Sequence, residues 1–124
     1  MNIALWIAAA LLAIAFLATG LLKITRSKEQ LAAAGMGWTE GFSPSTITAI
    51  GVAEVLGAVG LILPAVLDVS PVLVPVAAVG LALVMVGAAT THLLRKETRM
   101  VVLNVVLLAL ALFVAWGRFG PYAF

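Results

Sequence analysis

Gly51-Val52-Ala53-Glu54-Val55-Leu56-Gly57-Ala58-Val59-Gly60-Leu61-Ile62-Leu63-Pro64 carries one charge, Glu54, among small and branched apolar residues. It lies inside a longer run, Pro44–Leu67, where Glu54 is again the only ionisable side chain. That length is close to the roughly 20 residues a helix needs to cross about 30 Å of hydrocarbon. Three further runs behave alike. Ile3–Leu22 is broken only by Thr19, Val69–Leu94 holds only His92 as an ionisable group, and Met100–Gly117 has only Asn104 as a strongly polar side chain. None alternates with the period of a barrel strand. The sequence therefore predicts an all-α fold, a four-transmembrane-helix bundle forming a single membrane domain over 1–124. Its spans cover about 3–22, 44–67, 70–94 and 100–117.

Composition agrees. Of 124 residues, 65% are hydrophobic and 10% charged, against roughly 45–50% and about 25% in a soluble domain. This excludes a soluble enzyme, a disordered tail and a nucleic-acid-binding module; a net charge of +2 makes no electrostatic footprint for DNA. The absence of cysteine removes disulfides, thiolate metal sites and thiol relays, and a lone histidine removes bis-histidine haem. With no metal, thiol or covalent-cofactor site in view, the chain does not read as an independent redox enzyme.

Punctuation marks the ends of the spans. Ser43-Pro44 and Ser70-Pro71 each offer a capping hydroxyl before a proline that needs no donor at a first helical position. Pro64 is expected to kink the second span, and Gly117, Gly120 and Pro121 to end the fourth. Between the first two spans, Ser27-Lys28-Glu29-Gln30 fits a capping box and Gly35 a helix stop. A short interfacial helix over about Lys28–Ala34 is predicted there, with Met36 and Trp38 as anchors at the headgroups. The first span has no charged side chain before it and basic residues after it, so it reads as a retained anchor and not a signal peptide.

Lys23, Arg26, Lys28, Arg95, Lys96 and Arg99 lie in the first and third loops, whereas the opposite side has only Arg118. The positive-inside bias then puts both termini outside the cytoplasm of a cell-membrane protein.

Four polar residues stand out. A carboxyl near a helix centre costs roughly 2.5–3.5 kcal/mol on insertion scales, so Glu54 is expected to follow its glycine-rich face into the bundle. It lies about 15 Å along the helix from Pro44 at 1.5 Å per residue, within reach of Lys23 or His92, with Asn104 one turn into the last span. Each is also open to a plainer role. Glu54 could fix helix register, His92 and Asn104 could serve as hydrogen-bonding residues between helices, and Lys23 and Arg118 could be edge charges that snorkel. Trp6, Trp38 and Trp116 read as belt residues. On the third span Ala77, Gly80, Gly87, Ala88 and Thr91 form a seam of small residues.

At these positions the chain resembles the DoxX-like family of small four-helix membrane proteins. Gly20-Leu21-Leu22-Lys23, the Gly51–Pro64 stretch, and Gly80–Ala88 with His92 after it carry the likeness. The resemblance implies an association with quinone-linked redox assemblies. The broader four-helix group is similar to vitamin K epoxide reductase-type bundles, but the paired cysteines those use are absent here. The favoured expectation is an accessory or ligand-binding subunit that holds a quinone or lipid-like molecule, or docks on a membrane redox complex. The candidate ligand-binding or proton-linked residues are Glu54, His92, Lys23 and Asn104. A structural scaffold, and a proton-coupled carrier or channel working as a homo-oligomer, are the alternatives.

Overall fold

The computed structural model describes residues 1–124. Four long helices, α1 (Asn2–Thr25), α3 (Pro44–Val66), α4 (Leu73–Leu94) and α5 (Thr98–Phe119), are each long and apolar enough to cross a membrane. The short α2 (Lys28–Ala33) lies between the first two, followed by a 3-10 turn over Gly37–Gly41. Around the bundle α1 packs most extensively on α3 and α4 on α5, while smaller α3–α4 and α1–α5 interfaces close it. The outward surface is hydrocarbon: Ile3, Ile14, Leu56, Leu83 and Leu94 are all largely exposed. Such a surface is stable only when lipid covers it, and helices satisfy their backbone internally, as a bilayer demands. The protein is a multi-pass membrane protein.

Local chemistry sets the boundaries. Ser27 accepts from the backbone of Gln30 at 3.1 Å while the Gln30 side chain accepts from the Ser27 backbone at 2.9 Å, so the predicted capping box is complete. Ser43 caps α3 in the same sense, accepting from Thr46 at 3.2 Å. Three helices end in the paired 6→1 and 5→2 hydrogen bonds of a Schellman motif. After α2 the left-handed residue is Gly35, where φ is +100°. After α3 it is Asp68 and after α4 it is Lys96, both in the same left-handed region.

Two expectations are corrected. Ser70 has φ of +46° and caps nothing; α4 starts at Leu73, because the chain is still completing the turn out of α3. This also places Pro75 at the third position of α4, where a backbone N–H has no intrahelical partner to lose. Pro64 falls in the last turn of α3, where the backbone bond it deletes is the one to the carbonyl of Gly60. The third-span seam packs only in part: Ala77 lies against Gly60 of α3, whereas a Cβ at Gly80 or Gly87 would meet open space. The buried stripe of α4 runs instead through Val74, Ala78, Leu81, Met85 and His92.

The core is built where small residues let helices close. A Cβ at Gly57 would strike the Leu81 side chain at 2.6 Å and one at Gly117 the Leu5 side chain at 2.6 Å. The α1–α3 contact is tighter still. A Cβ on Gly20 would sit 2.8 Å from the carbonyl oxygen of Gly51, and one on Gly51 would sit 2.8 Å from that of Gly20. Only hydrogen at both positions permits the two backbones to touch.

Candidate functional site

The Gly20–Gly51 contact brings Lys23 and Glu54 together. Side chains on a helix lean toward its N-terminus. Lys23 lies one turn beyond Gly20 and Glu54 one turn beyond Gly51 on an oppositely directed helix, so the two lean toward each other across the glycines. Lys23 Nζ donates to both carboxylate oxygens of Glu54, at 2.8 Å to Oε2 and more closely to Oε1. Thr19 Oγ1 adds a longer contact to Oε2 at 3.4 Å while donating to the carbonyl of Ala15 at 3.0 Å. Glu54 is 1% exposed and Lys23 9%. Neither is an edge charge: the lysine stem points inward and its ammonium also lies 5.4 Å from the centre of the Trp38 ring. Bonds from both sides satisfy the carboxylate that an apolar surround would otherwise penalise.

His92 does not reach this pair. Its Nδ1 lies 3.0 Å from Glu97 Oε1, the oxygen that also accepts from Arg95 Nε at 3.0 Å. The Schellman turn at Lys96 explains the contact. The backbone N–H of Glu97 donates back to the carbonyl of His92 at 2.9 Å, which folds the glutamate against the ring five residues earlier. The hydrogen bond from His92 holds the Glu97 carboxyl below its ordinary pKa; burial opposes this, and Arg95 adds to the lowering. Trp38 lies edge-on to the His92 ring, 6.3 Å between centres. It therefore bridges the α1–α3 pair and the α4 histidine from the 3-10 turn and is more than a headgroup anchor.

Asn104 is 6% exposed and makes one contact, its Nδ2 donating to Met85 Sδ at 3.6 Å, while Oδ1 is buried with no hydrogen-bond partner. Interhelical glue of that kind is weak, since a thioether is a poor acceptor.

All four residues line one cavity of about 570 Å³, together with Thr19 and Trp38. Most of the remaining wall is hydrocarbon, from Phe16, Ile50, Leu83, Met85 and Leu107 among others. Gly87 and Ala88 face it too, which explains why a Cβ on Gly87 would meet no neighbouring helix.

A model of the DoxX-like family matches residues 7–114. The chain belongs to the DoxX-like family. The match takes in α3, α4 and every cavity-lining residue named above. No curated protein and no solved structure matches the chain.

Two residues at this site are not among the candidates read from the sequence. Trp38 reads as a belt residue because an aromatic beside an apolar run has the same signature on either side of a loop. Glu97 was accessible in principle: a reversal between Arg95 and Thr98 brings residue i+5 back over residue i, and His92 and Glu97 stand at that spacing.

The far end of the bundle holds a separate cluster. Arg118 is 5% exposed, donates through Nη1 to Asn2 Oδ1 at 2.7 Å and to the carbonyl of Tyr122 at 2.9 Å, and stacks 4.0 Å from the Phe124 ring centre. The expectation of a snorkelling charge fails here. Two neutral acceptors, two aromatic faces and the negative end of the α5 dipole make burial tolerable.

Proposed function

We propose that this DoxX-like protein is a membrane-embedded binding or accessory subunit that holds an uncharged, lipid-like molecule of the quinone type. The observation that carries the reading is the cavity itself. About 570 Å³ of mostly hydrocarbon-walled space falls within the roughly 300–1,000 Å³ of ligand sites, and its few polar groups cluster as such sites require. The charges around it are already paired: Lys23 with Glu54, and Arg95 with Glu97. An anionic headgroup would find no free cation there, so a neutral occupant is favoured. The pairing of Glu54 likewise weighs against a proton-coupled carrier, because a transported proton would have to displace the lysine.

In this reading Glu54 and Lys23 form a fixed polar wall, and His92 and Asn104 supply hydrogen bonds to a head-group. A partner redox complex or a second copy would exchange the ligand laterally through the bilayer. The basic first and third loops orient the protein with both termini outside the cytoplasm of the cell membrane.

Native mass spectrometry of the gently extracted protein tests the reading. The wild type should carry a neutral adduct of quinone or lipid mass, and Ala88→Trp, which fills the cavity from its wall, should lose it without unfolding. Bare protein in both samples would favour the scaffold.

A further inference from the structure

We infer that the cavity selects a ligand whose head donates hydrogen bonds, an uncharged molecule with an apolar body and a hydroxyl group, and that His92 Nε2 and Asn104 Oδ1 are its acceptors. The inference rests on the proposed reading of the cavity as a ligand site and narrows its chemistry.

The argument is an inventory of hydrogen-bonding capacity. The side-chain donors deep in the cavity each already make a bond within the chain. Lys23 gives two of its three protons to the oxygens of Glu54, with Trp38 beside the ammonium, and Asn104 Nδ2 donates to Met85 Sδ. Thr19 donates to Ala15, and Thr91 to the carbonyl of Gly87 at 3.0 Å. Two acceptors have no partner in the chain. Because the Glu97 carboxylate accepts at Nδ1, the neutral imidazole of His92 carries its proton there and leaves a lone pair on Nε2. Nε2 has no partner in the chain, and the ring lines the cavity. Asn104 Oδ1, on the helix that packs most closely with α4, is the buried side-chain oxygen without a partner.

A buried acceptor left without a donor is costly, and a ligand that supplies the donor removes that cost. Where a site is built to bond a hydroxyl, an analogue lacking it is strongly disfavoured. A ligand with carbonyl oxygens alone has nothing to offer either acceptor. Among the cavity's remaining donors the Trp38 indole N–H makes no bond within the chain, and a hydroxyl oxygen can accept from it while donating elsewhere.

Three probes of one shape decide the matter: 2-methyl-1,4-naphthoquinol, its dimethyl ether, and 2-methyl-1,4-naphthoquinone. Binding is measured anaerobically at pH 8, with the full chain in lipid nanodiscs and empty nanodiscs subtracted. The quinol should bind at least about tenfold more tightly than the ether or the quinone, a difference of about 1.4 kcal/mol. His92→Phe should erase most of that preference, and Asn104→Leu should reduce it. Should one variant fail to fold, the wild-type ranking and the other variant still decide. Equal affinities, or tighter binding of the quinone, overturn the inference and leave the ligand-site reading standing. A preference unchanged in both variants overturns the assignment of the acceptors. No binding of any probe overturns both the inference and the quinone-type reading.

Discussion

Glu54 is stable in the bundle because of its partner and not because of its depth. Both of its oxygens accept from Lys23, and the glycines beneath the pair bring the two helices close enough for that geometry. Removing one member leaves the other buried and uncompensated, which typically costs about 3–5 kcal/mol. Glu54→Gln should therefore lower the unfolding temperature in detergent substantially. The double variant Lys23→Met with Glu54→Leu should recover much of the loss, because coupled residues depart from additivity. At the opposite side of the cavity, Glu97 has a pKa below its ordinary value because His92 donates to it. A carboxyl with a depressed folded-state pKa contributes its stability above its unfolded value, near 4.3, and loses it as pH falls through the folded value. The stability gap between wild type and Glu97→Gln should thus shrink as pH falls below about 4. A gap that instead widens in acid would show that the hydrogen bond does not favour the ionised form.

At the scale of elements, glycine positions separate packing from lining. Gly51→Ala introduces a Cβ 2.8 Å from the Gly20 carbonyl and 2.8 Å from Lys23 Cβ. Overpacking of this kind costs about 1–3 kcal/mol, and because it pushes α1 from α3 it should weaken the ion pair as well. Gly80→Ala meets nothing within 4 Å and should be neutral or stabilising by up to about 1 kcal/mol, the helix-propensity gain of alanine. Paired unfolding curves of the two variants check this; equal losses would mean that α1 and α3 do not touch at Gly20. The turn after α4 allows a second test. Lys96 adopts a left-handed conformation, with φ of +60°, that glycine adopts without strain, so Lys96→Gly should leave the His92–Glu97 contact intact and raise stability slightly. Much of this layer was legible in the sequence. Ser27, Gln30 and Gly35 announce α2 through backbone chemistry that acts within a few residues. The start of α4 at Leu73 and the 3-10 turn were not legible, since they follow from how α3 ends and how the loop packs over the bundle.

For the whole molecule, four uninterrupted apolar runs decided the architecture, because a bilayer admits few alternatives to helices. The convergence of polar groups was only partly readable. Glu54 and its glycine face pointed inward from one helix alone, but the choice of Lys23 over His92 depends on how two antiparallel helices lean. The burial of Arg118 depends on contacts with both ends of the chain. Orientation can be checked directly: cysteines placed at Ser27 and Glu97 should resist an impermeant thiol reagent in intact cells, whereas one at Phe124 should react. The account's central claim is that the cavity bordered by Lys23, Glu54, His92 and Asn104 is a binding site for a neutral, apolar molecule. An experimental structure of the protein extracted with its native lipids tests it most directly. The account predicts density for an elongated apolar molecule in the cavity, its head within hydrogen-bond distance of His92 Nε2 and the Lys23–Glu54 pair intact. A cavity closed by Trp38 and neighbouring side chains, or a phosphate drawing Lys23 away from Glu54, would contradict it.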